Sequence, residues 1–207
     1  MEIEKVRQLI HKHVPAASAD YCFSLWEAHQ FVFKTKRARR SKVGDFTFRP
    51  GRRQQITINS DLHPYLFLTT YLHEVAHLQV HEFYGRKASA HGVEWKKAFQ
   101  KVMEPVLNNS IYPPPLFIGL SKHMTNPKAS SFSDSKLTAL FRSYDEKNAK
   151  ATLLSELPVG STFSLHKRWF KKGITKRTRV LCQELKTKRQ YLVPADAEVG
   201  SAQLALL

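Results

Sequence analysis

Ile3, Val6, Leu9, Ile10 and Val14 recur at helical spacing in EIEKVRQLIHKHV, which predicts an amphipathic helix closed by Pro15. SADYCFSLWEAHQ reads as a second helix or turn. The period then shortens. FVFKTKRARRSKVGDFTFRPGRRQQITINSDL holds three short strand candidates, at about 30–37, 42–48 and 54–59, with Pro50-Gly51 as the clearest turn. Their spacing predicts a small antiparallel meander. SDLHPYLFLTTYLHEVAHLQVHEF is helical again, with Pro64 suited to a first turn and Gly85 to an end. SAHGVEWKKAFQKVMEPVL predicts a further helix with Val93, Phe99, Val102 and Met103 in the core. Pro105 and Pro113-Pro114-Pro115 interrupt the pattern.

Residues 121–135, SKHMTNPKASSFSDS, are polar and serine-rich and read as a linker. From about 153 the chain is β-branched and aromatic, with turn signals at Pro158-Gly160, Gly173 and Lys186–Lys188. Four or five short strands are expected there, enough for a small SH3-like or OB-like barrel. No internal repeat is visible. The expected organisation is α+β: a domain over 1–120, a connecting segment over 121–152, and a small basic β module over 153–207.

Hydrophobic residues make up 42% of the 207, enough for a folded core. The longest apolar runs, such as YLFLTTYL, are too short to span a bilayer. MEIEKVRQLI lacks the basic, apolar, small-residue order of a signal peptide, so a cytoplasmic protein without membrane attachment is expected. Cys22 and Cys182 stand alone and read as buried thiols; their number excludes a disulfide framework or a cysteine zinc ribbon.

His73-Glu74-Val75-Ala76-His77 is an HExxH motif. The spacing i, i+4 puts both imidazoles on one helix face, within reach of one metal, with the glutamate beside them to polarise a water. Apolar flanks argue against two merely solvated histidines. A catalytic zinc takes three protein ligands and keeps one position open. His81 lies eight residues, about 12 Å, along the helix from His73, too far to share the ion. The longer pattern HExxHxxGxxH also fails, because Val80 and Phe83 stand at its Gly and third His. His91 and Glu94, in AHGVEW, are the remaining candidates.

HExxH followed fourteen residues on by HGxxW resembles the SprT-like metallopeptidase family, which includes the Spartan proteases. KVGDFTF…ITIN resembles that family's strands ahead of the metal helix. The resemblance covers roughly 1–115. It implies a zincin-like fold, Zn2+ on His73, His77 and His91, Glu74 as catalytic base, and Gly92 and Trp95 as supports. It also implies a protein substrate, including proteins bound or crosslinked to DNA. The four-cysteine zinc ribbon of many SprT-like proteins has no counterpart beside the single Cys182.

The formal net charge of +16 points to a polyanionic partner. Lys34, Lys36, Arg37, Arg39, Arg40 and Lys42 crowd one connection, opposed only by Asp45. Lys167, Arg168, Lys171 and Lys172 crowd another, around Trp169. Cations release counterions from phosphates and aromatic rings stack on unpaired bases, so weakly sequence-dependent DNA binding is expected through Arg37, Arg39, Arg40, Lys167, Arg168, Trp169, Lys171 and Lys172. A rival reading is a nucleic-acid-binding protein with a structural or vestigial zinc site. The intact Glu74 speaks against it, since a structural site needs no base.

Overall fold

A chain that alternates helical and strand periods must bury both kinds of face, and this one does so around two separate cores. The computed structural model describes residues 2–39, 42–128, 135–145 and 152–203. They fall into two units, Met1–Asp145 and Glu146–Leu207.

In the first unit, α1 (Glu2–His13) buries Val6 and Ile10, and Val14 follows them into the core. Ile3 stays exposed. Helix α2 (Ala19–His29) buries Ala19, Cys22, Phe23 and Trp26, one face at positions i, i+3, i+4 and i+7. Strands β1 (Val32–Lys36), β2 (Gly44–Thr47) and β3 (Gln55–Asn59) follow, then α3 (Pro64–Tyr84). Helix α3 packs against the sheet, α1 and α4 (Val93–Met103), which accounts for apolar residues around most of its circumference. Within α4, Val93 is 63% exposed; Trp95, at 0%, joins Phe99, Val102 and Met103 in the core instead.

The three strands are not a meander. Their order is β1-β3-β2, with β1 parallel and β2 antiparallel to β3, so the sheet is mixed. The chain leaves β1, passes the end of β3 and descends on its far side. Arg39 holds that crossing. Its guanidinium donates to Asn59 Oδ1 (2.8 Å), Thr57 Oγ1 (3.0 Å), Thr57 O (3.2 Å) and Val43 O (3.4 Å). Thr57 and Asn59 are thereby buried on the face of β3 away from Ile56 and Ile58.

The three prolines start a helix rather than end one. Pro113 is the N-cap of α5 (Pro114–Met124), and Pro114 opens it, where a missing N–H leaves no bond unmade. Helix α6 (Ser135–Ser143) lies inside the interval read as a connecting segment. It packs on α5 and adds Leu137 and Phe141 to the first core. A Cβ at Gly119 would stand 2.6 Å from Leu140 Cδ1, so the glycine permits this close approach.

The second unit is a six-stranded antiparallel sheet of β4 (Thr152–Leu153), β5 (Thr162–Leu165), β6 (Arg168–Lys176), β7 (Arg179–Glu184), β8 (Gln190–Pro194) and β9 (Glu198–Gln203). The order is β4-β9-β5-β6-β7-β8, and the sheet is open, with β4 and β8 as its edges. Leu154, Leu157, Phe163, Phe170, Val180, Cys182, Val193 and Val199 form its core. Gly173 marks no turn. It lies within β6 at a register irregularity, where a Cβ would meet Leu181 O at 2.6 Å. The turn between β5 and β6 is made by His166 and Lys167, both at positive φ.

Candidate metal centre

Helix α3 sets the first two ligands of the site by its own pitch. His73 and His77 stand one turn apart, and their Nε2 atoms are 3.2 Å from each other. The third arrives from the chain beyond the helix. Gly85, at φ 59, ends α3 with its N–H on His81 O, and the connection returns to Gly92, the N-cap of α4. Its last residue before the cap is His91, whose Nε2 lies 3.0 Å from that of His77. Among the described residues, His73, His77 and His91 form the one group of ligand atoms, all within 4.8 Å of one another, that could hold a metal ion. Glu94 is not in it; its carboxylate folds back towards the backbone of Gly92.

As hydrogen bonds these contacts are poorly matched, because a neutral His77 Nε2 carries either one proton or one in-plane lone pair and yet faces two ring nitrogens. A single cation satisfies all three. Tetrahedral ligands with metal–nitrogen bonds of about 2.0–2.1 Å stand roughly 3.3 Å apart, close to both observed separations. Burial pushes the His73 imidazole down to about 3 and that of His77 down to about 4, with the neighbouring histidines adding to it; burial also lowers His91. All three are therefore neutral at pH 7 and present free lone pairs. Trp95 backs the cluster, with ring centroids 4.7 Å from His73, 5.3 Å from His77 and 4.7 Å from His91, and Phe99 packs on His73 at 5.5 Å.

Glu74, one residue on from His73, turns about 100° round the helix towards β2. It is buried. Burial raises its carboxyl to about 8, and the charge of Asp45 adds to the rise; the Phe46 backbone N–H, Arg39 and Lys42 oppose it. His81 is two turns further along the same side, packed against Phe48 (centroids 4.1 Å) and Phe46 (5.7 Å), and away from the triad. Sequence reasoning missed Asp45 and Gly44 as neighbours of Glu74. A glycine inside a strand pattern was the available signal for Gly44, since it marks a close backbone approach. Tyr112 is buried with its hydroxyl 3.1 Å from Thr69 Oγ1.

The residues proposed for DNA separate into several kinds. Arg37 is exposed, Arg39 is committed to β3, and Arg40 lies outside the described residues. Lys167 is exposed at the β5–β6 turn. Arg168 pairs with Glu184 at 2.6 Å and donates to Tyr191 Oη at 2.8 Å. Lys172 is buried, its ammonium donating to the carbonyls of Ser155 and Leu157. Trp169 (45% exposed) and Lys171 share the face of β6 opposite Phe170.

No match is found among curated proteins or solved structures. Residues 12–113 do match a family model, described as the SprT-like family, and the match contains the HExxH helix and His91. This segment, with its three-histidine cluster able to hold a metal ion, is a SprT-like domain of metallopeptidase-like type.

Proposed function

We propose that the first unit is a zincin-like, zinc-dependent peptidase acting on protein substrates. The observation that carries this reading is the convergence of three neutral imidazoles, two of them on the helix that also carries the buried Glu74. Three nitrogens, without thiolate or carboxylate, suit zinc and leave one coordination position open, as catalytic sites do. Zinc held by His73, His77 and His91 would supply Lewis-acid polarisation of the scissile carbonyl and lower the pKa of a water towards neutrality. Glu74 accepts the proton of the attacking water and passes it to the leaving amine. Burial, with the charge of Asp45 adding to it, holds its carboxyl up at about 8, and a nearby dication acts in the opposite sense.

Glu74→Gln tests this. The variant should keep its zinc and lose cleavage of casein or histone, measured with and without single-stranded DNA. Retained metal with no cleavage by the wild-type protein under either condition would favour the rival, a nucleic-acid-binding protein with a structural zinc.

For the partner we propose single-stranded DNA, bound without sequence preference, with DNA-bound proteins as substrates. The outward placement of Trp169 and Lys171 on the second sheet supports it, because stacking and phosphate contact then share one face. Two buried free thiols suit the reducing cytoplasm as its location. No helix among the described residues is long and apolar enough to cross a membrane.

A further inference from the structure

We propose that Gly44 is a positioning residue for Glu74, acting through the space its missing side chain leaves. It rests on the peptidase reading for its kinetic consequence, and on geometry alone for its structural one. Strand β2 lies at the edge of the first sheet, with Gly44 opposite Ile58 and Phe46 opposite Ile56. Both isoleucines are fully buried. Phe46 packs on His81 of α3, so the alternate positions 44 and 46 both look towards that helix. A Cβ at Gly44 would stand 2.5 Å from Glu74 Oε1, 2.6 Å from Thr70 Cγ2 and 3.0 Å from Glu74 Cγ.

The backbone itself makes no demand for glycine here, since the positive-φ glycines are Gly51, Gly85 and Gly160. Space is the constraint. A glycine in a strand interior is less favourable than alanine, and what it permits here is contact between strand backbone and carboxylate. The same strand then anchors the group, through the Phe46 N–H to Glu74.

An added methyl group must displace something. Thr70 is a poor candidate: it is β-branched, and its hydroxyl donates to Leu66 O at 2.7 Å. The end of Glu74 is the mobile party, so the fold tolerates the methyl while the carboxylate leaves its place. A misplacement of about 1 Å in a reacting group lowers a rate on the order of 100-fold.

The test compares wild-type protein with Gly44→Ala, Thr70→Ser and the double variant. We expect Gly44→Ala to hold the same zinc content and to lose kcat by about 100-fold, with KM unchanged. The double variant removes the Thr70 methyl obstacle and leaves the carboxylate conflict. It should recover any loss in melting temperature but not kcat, and it carries the kinetic test if Gly44→Ala does not fold. A crystal structure of either variant should show the Glu74 carboxylate moved from the Phe46 N–H. Wild-type kcat in Gly44→Ala, kcat restored by Thr70→Ser, or a carboxylate still in place would overturn the proposal. Should the wild-type protein cleave nothing while the carboxylate is displaced in the variant, the peptidase reading fails and the positioning role stands.

Discussion

Arg39→Ala separates a structural arginine from a phosphate-binding one, and the size of its effect follows from the bonds it removes. Two are short, to Asn59 Oδ1 (2.8 Å) and Thr57 Oγ1 (3.0 Å); two are longer, to Thr57 O (3.2 Å) and Val43 O (3.4 Å). Hydrogen bonds to a charged group contribute about 1.5–3 kcal/mol each when their acceptors are cut off from water. Asn59 and Thr57 are 2% and 3% exposed. Arg39 itself is only half-buried, so water enters once it is gone and recovers part of the loss. We expect a net destabilisation of about 3 kcal/mol, arising mainly from the two short bonds. At roughly 2–4 °C per kcal/mol for a unit of this size, melting should fall by about 10 °C.

Urea denaturation followed by tryptophan fluorescence is a suitable assay, because Trp26 and Trp95 are both buried in the first unit. The midpoint should drop with no change in slope. Arg39→Lys keeps the charge but not the fork that reaches Asn59 and Thr57 together, and should recover less than half of the loss. Arg37→Ala, at an exposed position, should leave stability within about 0.5 kcal/mol. If Arg37 touches phosphate on single-stranded DNA, that variant lowers the salt slope by about 0.7, whereas Arg39→Ala leaves the slope unchanged. An unchanged midpoint in Arg39→Ala, or an Arg39→Lys protein as stable as wild type, would refute the reasoning.

Purified protein should contain about one zinc per chain; His91→Ala should shed it and His81→Ala should not, as read by metal analysis. Metal-free protein should lose stability as pH falls from 6.5 through about 4 to about 3, because the unfolded chain binds protons that the folded His77 and His73 refuse. Denaturation midpoints across that range check the sign, and a stability that rises on acidification would contradict it. Trp169→Ala should weaken single-stranded DNA binding by about 1–3 kcal/mol and leave melting nearly unchanged. A fall in melting with undiminished binding would make Trp169 a packing residue.

Local periodicity made α1, α3 and α4 legible, and it placed His73 and His77 on one face, because neighbours three and four apart on a helix meet whatever the rest of the chain does. The third histidine is a different kind of fact. Nothing in helical spacing says where a connection returns, and both His91 and Glu94 satisfied the local pattern until the path from Gly85 to Gly92 was known. The sheet order was illegible for the same reason. Each strand showed its own alternation, but the choice of partner edge rests on Arg39 reaching residues 18 and 20 positions away. Proline carried the opposite lesson. Read as a breaker, Pro113-Pro114-Pro115 hid α5, although the same fixed φ that ends one helix can begin another.

Charge is where composition was least informative, because it counts cations without saying which way they face. In β6 the alternation that buries Phe170 also turns Lys172 inward, and that parity was already present in the sequence. Once inside, an ammonium needs acceptors, and Ser155 O and Leu157 O supply them. Arg168 is on the same parity, and its partners Glu184 and Tyr191 are reached across neighbouring strands. What remains available to a polyanion on this strand is the opposite parity, Trp169 and Lys171, and the exposed Lys176 beyond the register irregularity. A basic cluster is thus two populations with different physics: cations whose hydrogen-bonding capacity the fold has consumed, and cations still able to exchange their counterions for phosphate. Only the second group can contribute to a salt-dependent affinity, so its slope measures the outward-facing cations and not the net charge of +16.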